Sequence, residues 1–245
     1  MKGMIKFKPF MYLKKNYSMI KGFSSAIMMF FYSPCLFGQA KSVKNQYIGF
    51  NLLQLPSSTL NMNYTIEHKH RFTSMIDFGY AIKYNNYYDF VGSFLTPSVR
   101  IDDQYTIKKQ SGGYFKFGGF YNFREGYDEP NFFHVGFFVT SSLVMEEGIS
   151  NSIEEYYEYP NGKEVNQNVF LVGFSTSVGY EFDLAHRLKS SFDFQLSFPS
   201  SNYANLYSYK NFIPGMGYKE IDPMWFPMLI FNVKYLLDFE PKIKD

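Results

Sequence analysis

Few residues in this chain have the types and spacing that chemistry requires. His134 and Ser142 fall on one polar face of an alternating segment. A histidine near a hydroxyl is the raw material of nucleophilic hydrolysis. Neither a nucleophile motif nor a His-x-Ser spacing accompanies the pair, so His134 is the single catalytic candidate, and a hydrogen-bonded interior histidine is the plainer reading. His68 and His70 form an HxH in a turn beside Arg71, but a metal site needs further ligands and the neighbourhood supplies none. Asp102 and Asp103 are adjacent carboxylates that strand alternation sends to opposite faces, away from a shared site. No glycine-rich phosphate loop, zinc motif or dinucleotide fingerprint occurs, and no cofactor or metal is expected.

The elements that must hold these residues alternate with period two. Residues 168–198 read as two strands around a short turn. Phe170, Val172, Phe174, Val178, Tyr180 and Phe182 lie opposite Gly173, Ser175, Ser177, Gly179 and Glu181 on the first strand. On the second, Leu188, Phe192, Phe194, Leu196 and Phe198 oppose Lys189, Ser191, Asp193, Gln195 and Ser197. Such alternation marks strands with one apolar and one polar face. The same reading places strands at 47–55, 59–67, 72–84, 95–105, 113–124, 132–145 and 225–239. The TIKKQSG run, the acidic stretch 146–167 with its Pro160-Asn161-Gly162-Lys163 turn, and the polar, Tyr-rich stretch 199–223 read as connections.

Composition narrows the class. Aromatic residues make up 21% of the 245 positions, with 29 Phe, 22 Tyr and one Trp. Beyond the N-terminus no apolar run reaches the roughly 18 residues of a spanning helix, so any bilayer crossing must be made by strands. Residues 1–40 read as a secretory leader, with an apolar core at 23–37 and a cut after Ala40; initiation at Met19 would give it ordinary length. Subtracting the six leader lysines from 24 Lys+Arg leaves 18 basic against 22 acidic residues, a net −4. That balance gives no reason to expect nucleic-acid binding. The sole cysteine, Cys35, leaves with the leader.

Volume decides which face is inside. An eight-stranded interior is only just filled by ordinary side chains, so turning most of the Phe and Tyr inward would overfill it. The apolar faces therefore look outward into lipid, and the small polar faces line a narrow lumen. Nine strand segments conflict with the even number such barrels use. Dropping 47–55 gives eight, the favoured count; pairing 152–159 with 164–182 across the Pro160–Lys163 turn gives ten. The lumen would then receive Glu67, Asp77, Lys83, Arg100, Asp102, Lys116, Arg124, Glu181, Lys189, Asp193, Lys234 and Asp238, a mixed-sign set expected to pair internally. Tyr156, Tyr157, Tyr207 and Tyr209 sit at loop tips, with a Tyr/Asn-rich composition suited to contacts with proteins or glycans.

The runs IGFNLLQLPSSTLNMNYTIEHKHRFTSMIDFGY, TPSVRI, GYFKFGGFYNFR and VGYEFDLAHRL resemble the small outer-membrane β-barrel proteins of Bacteroidota. The likeness covers about residues 45–239. It implies an all-β, antiparallel up-and-down transmembrane barrel over residues 41–245, located in the bacterial outer membrane. Its partners would be outer-membrane lipid, the barrel assembly machinery, and an envelope protein or glycan. The expected role is non-enzymatic, structural or surface-interacting, within or outside an envelope complex. The alternatives are a lipid-modifying or hydrolytic barrel enzyme around His134, or a small porin. Phe239 stands where the resemblance implies a terminal aromatic signal, but residues 240–245 follow it.

Overall fold

The structure is a computed structural model and describes residues 43–68, 71–83, 89–95, 105–126, 129–150, 162–206, 211–219 and 225–237. Eight of its strands close a barrel: β1 (Val43–Asn51), β2 (Thr59–His68), β3 (Phe72–Ala81), β4 (Tyr105–Phe123), β5 (Phe132–Ser150), β6 (Glu164–Ala185), β7 (Leu188–Pro199) and β10 (Phe226–Leu237). Each pairs antiparallel with the barrel strand before and after it, β7 with β10 across the intervening chain, and β1 pairs with β10 from Gln46↔Leu237 to Asn51↔Asn232 to complete the ring. Closure leaves no open sheet edge around the barrel wall, the condition a strand structure must meet in hydrocarbon. Two further strands, β8 (Asn211–Ile213) and β9 (Gly217–Lys219), form a separate small hairpin.

Alternation sorts the side chains as lipid on one side and a packed interior on the other would require. Phe137 on β5 is 67% exposed and Phe174 on β6 is 65% exposed, whereas Lys116 on β4 is 1% exposed. Phe72, Ile76, Phe78 and Tyr80 on β3 and Phe192, Phe194 and Phe198 on β7 are likewise exposed, while Asp77, Asp193, Gln195 and Ser197 between them are buried. A water-soluble barrel would carry the reverse arrangement.

The strand number agrees with the favoured reading, but the set of strands differs from it. Residues 43–51 are a full barrel strand, and of the expected strand at 95–105 only the two end residues are described. Phe90–Leu95 is a short helix, α1, and β4 begins only at Tyr105; residues 96–104 lie outside the described residues. The TIKKQSG run, read as a turn, is the upper part of β4, paired with β5 from Thr106↔Ile149 to Gly112↔Val144. β5 and β6 also run further than expected, to Ser150 and back from Glu164.

Connections differ in length between the two ends. Arg71 (φ 63°), His186 and Arg187 belong to tight turns at one end, where the β4–β5 connection also lies. The long connections β3–β4, β5–β6 and β7–β10 leave the other end, which is the extracellular one by the usual rule of short periplasmic turns.

Strand lengths divide the wall into two sectors. β1, β2, β3, β7 and β10 have 9 to 12 residues, while β4, β5 and β6 have 19, 19 and 22. Ten residues at the usual rise and a tilt near 40° reach about 26 Å, close to the apolar band of such barrels. Nineteen reach about 50 Å, so β4, β5 and β6 continue as a three-stranded projection past the extracellular rim. Lys108–Glu164 (3.4 Å) and Lys109–Glu147 (3.9 Å) lie on that projection, both pairs exposed.

The stretch after β7 does not extend outward as a polar loop. A 3-10 helix (Ser201–Asn205) lies beside the middle of β6, with Ser200 N donating to Val172 O and Asn202 Nδ2 to Phe170 O, and the β8–β9 hairpin then enters the barrel mouth. Phe212, Ile213, Met216 and Tyr218 are all at most 3% exposed. Its Ile213-Pro214-Gly215-Met216-Gly217 tip needs glycines: Gly215 (φ 76°) and Gly217 (φ 118°) occupy the left-handed region, and a Cβ on Gly215 would run into the Tyr114 ring.

Candidate functional site in the barrel interior

The interior has an apolar upper storey and a charged lower one. In the upper storey the inward positions of the wall turn from polar to apolar. Val144, Val169, Leu171 and Phe226 surround Ile213 and Met216 of the hairpin, together with Leu206. Val91 of α1, Met228 and Ile230 surround Phe212 and Tyr218. At Gly112 and Gly173, on the inward face, a Cβ would meet the backbone of the adjoining wall strands. The hairpin tip is held by side-chain donors from β7. Ser197 Oγ donates to Met216 O (2.6 Å), and Gln195 Nε2 donates to Gly215 O (3.3 Å).

Gln195 also joins the two storeys. Its Oε1 accepts from Lys116 Nζ at 2.8 Å, and Lys116 lies 3.8 Å from Asp77 Oδ2. Asp77 in turn accepts from Tyr114 OH (3.0 Å to Oδ2) and from Asn61 Nδ2 (3.3 Å). Below this, Glu181 is shared by Lys234 (2.6 Å) and Lys189 (3.5 Å). At the periplasmic end Arg124 pairs with Glu67, which also accepts from Asn45 Nδ2 at 2.7 Å. The Arg124 guanidinium lies 4.0 Å above the Phe132 ring. Buried charges are tolerable only when paired in this way.

His134 hydrogen-bonds through Nε2 to Asp193, and its ring packs edge-on against Phe120 at 4.6 Å. Ser191 Oγ donates to the other oxygen of the same carboxylate at 2.9 Å. The carboxylate thus lies between histidine and serine, not the order in which a histidine base faces a hydroxyl nucleophile. Ser142 Oγ is buried and has no hydrogen-bond partner among the described residues. His134 is 1% exposed.

Of the charges read as lumen-facing, Glu67, Asp77, Lys116, Arg124, Glu181, Asp193 and Lys234 are buried in the interior, and Lys189 is nearly so. Lys83 is not among them. It is exposed, because β3 ends at Ala81 and the chain has already left the wall. Arg100, Asp102, Asp238, His70 and the loop tyrosines Tyr156, Tyr157, Tyr207 and Tyr209 lie outside the described residues. His68 shares a hydrogen bond with Ser74 Oγ (2.9 Å), and no group of metal-ligating side chains occurs among the described residues. Sequence reasoning missed the hairpin and its seat of Tyr114, Gln195 and Ser197. The signal for it was present in Phe212-Ile213-Pro214-Gly215-Met216-Gly217-Tyr218, an apolar run around a Pro-Gly turn inside a polar stretch.

An outward aromatic face, a closed ladder and an interior whose buried charges are paired together make this a transmembrane barrel of the outer-membrane type. No protein-family model matches the chain, and no curated protein matches it. Among solved structures, a major outer membrane protein from Thermus thermophilus is similar at 10% identity and a TM-score of 0.40, covering 79% of this chain and 100% of that one. Neisserial surface protein A is similar at 10% identity and a TM-score of 0.33, covering 78% and 92%.

Proposed function

We propose that this barrel is closed to solutes and acts without catalysis, as a scaffold in the outer membrane that presents its extracellular end to an envelope protein or glycan. The observation that carries the reading is the filled interior. The β8–β9 hairpin fills the upper half with buried Phe212, Ile213 and Met216, and paired charges fill the lower half. A conducting pore would need a continuous wet path, and eight strands leave little width for one. The β4, β5 and β6 projection is the part left to meet a partner, and the Tyr/Asn-rich stretches that carry Tyr156, Tyr157, Tyr207 and Tyr209 have the composition for such a contact. The assembly machinery and outer-membrane lipid are the further partners this reading implies.

The test is conductance of the purified protein in planar bilayers, with insertion verified by protease protection of the wall strands in the same preparation. The proposal expects a silent membrane from inserted protein. Steady ohmic conductance of the unaltered protein overturns the proposal in favour of a small pore.

A further inference from the structure

The short-strand sector of the extracellular rim carries apolar side chains that nothing among the described residues covers. In α1, Asp89 caps the N-terminus by accepting from Gly92 N (3.0 Å). Val91 packs on Phe212 and Tyr218, and Leu95 joins the same cluster. Phe90 and Phe94, four apart and so on one helix face, point away from that cluster and are 65% and 74% exposed. Leu52 and Leu55 in the β1–β2 connection, Ile82 just past β3, and Trp225 just before β10 are also exposed. Ile82 N donates to Ser58 O, which places the end of β3 beside the β1–β2 connection.

Of these residues, Ile82 adjoins the lipid-facing band without a polar break. Leu60↔Tyr80 is the top outward pair of β2 and β3, both exposed, and Ile82 follows two residues above Tyr80 on the same face. β1, β2 and β3 are 9, 10 and 10 residues long, the minimum for crossing a bilayer, so their upper connections cannot stand clear of it. The opposite sector has polar, charged projecting strands at that end. We infer that the barrel is immersed unevenly, with α1, the β1–β2 connection and Trp225 seated among the upper acyl chains and headgroups of the outer leaflet. Phe90 and Phe94 are then a lipid anchor rather than a protein-binding face. This rests on the reading of a membrane-spanning barrel, and the experiment tells failure of the anchor from failure of that reading.

The chain has a single tryptophan, Trp225, which makes depth measurable. The full chain is refolded into phosphatidylcholine vesicles whose acyl chains carry bromine either just below the headgroup or near the bilayer centre, and fluorescence quenching is read. Trp225 is measured as it stands. In a Trp225→Phe background, Phe94→Trp reports α1, Phe137→Trp the middle of the band, and Lys109→Trp the projecting strands. The inference expects Trp225 and Phe94→Trp to lose most of their emission to shallow bromines and less to deep ones. Phe137→Trp should be quenched by deep bromines and Lys109→Trp by neither. If Phe94→Trp is as weakly quenched as Lys109→Trp while Phe137→Trp is quenched, the anchor is refuted and the barrel reading stands. If Phe137→Trp escapes quenching, the membrane-spanning reading fails and the anchor fails with it.

Discussion

Ile213→Ala tests whether the β8–β9 hairpin is a separately docked unit. Ile213 is fully buried at the hairpin tip against Val144, Val169, Leu171 and Phe226. Removing three carbons from such a site costs about 2 to 5 kcal/mol, because the void is only partly refilled. The hairpin is not paired into any barrel ladder, and Ser197 and Gln195 tie its tip to the wall through side-chain bonds. The loss therefore falls on local docking and not on barrel closure. A cost of about 3 kcal/mol raises the undocked population by roughly 100-fold. Hydrogen exchange read by mass spectrometry in micelles measures this directly. Peptides covering 211–219 should exchange roughly 100-fold faster in the variant, with peptides from β5 and β6 unchanged. Equal acceleration in β5 and β6 would refute the reasoning, since it would make the hairpin part of one cooperative unit with the wall.

The remaining expectations concern the wall and the lower storey. Arg124→Met leaves Glu67 buried without its cation and should lower stability by about 3 to 5 kcal/mol in urea titration, whereas Arg124→Met with Glu67→Met should recover most of that loss. Phe137→Arg places a charge on the lipid face near the band's middle and should cost about 2 to 4 kcal/mol of folding into vesicles, while Asn166→Arg on the exposed projection should stay within about 0.5 kcal/mol. His134→Ala should leave esterase and lipid-deacylation signals at the same background as the unaltered protein; turnover that depends on His134 would contradict the geometry around Asp193.

Much of the wall was legible because lipid on one side and a crowded interior on the other enforce strict alternation. β2, β3, β7 and β10 could be read from it to within a few residues, as could the lower end of β5. Legibility failed where the outer environment is not lipid. Lys108-Lys109-Gln110 looks like a turn because β4 has risen above the membrane there, and both its faces are polar. It failed again at 199–223, where the density of Asn, Ser and Tyr masked seven residues that pack inside the mouth. The strand count came out at eight with a different set of strands from the one expected: residues 43–51 are in the wall, and the run read as a turn before 113–124 belongs to one long β4. In the interior the inward position of most charges followed from the alternation. Their partners did not, since pairing His134 with Asp193 or Lys116 with Gln195 depends on register between strands far apart in sequence.

The most direct test of the account is where the chain folds. Urea-unfolded protein is diluted either into phospholipid vesicles or into plain buffer, and folding is followed by heat-modifiable gel mobility and protection of β4, β5 and β6 from protease. The account predicts a compact, protected barrel only with lipid and aggregation in buffer. A monomeric, protected, sheet-rich protein in buffer without detergent would mean that the exposed aromatic face is not turned toward lipid.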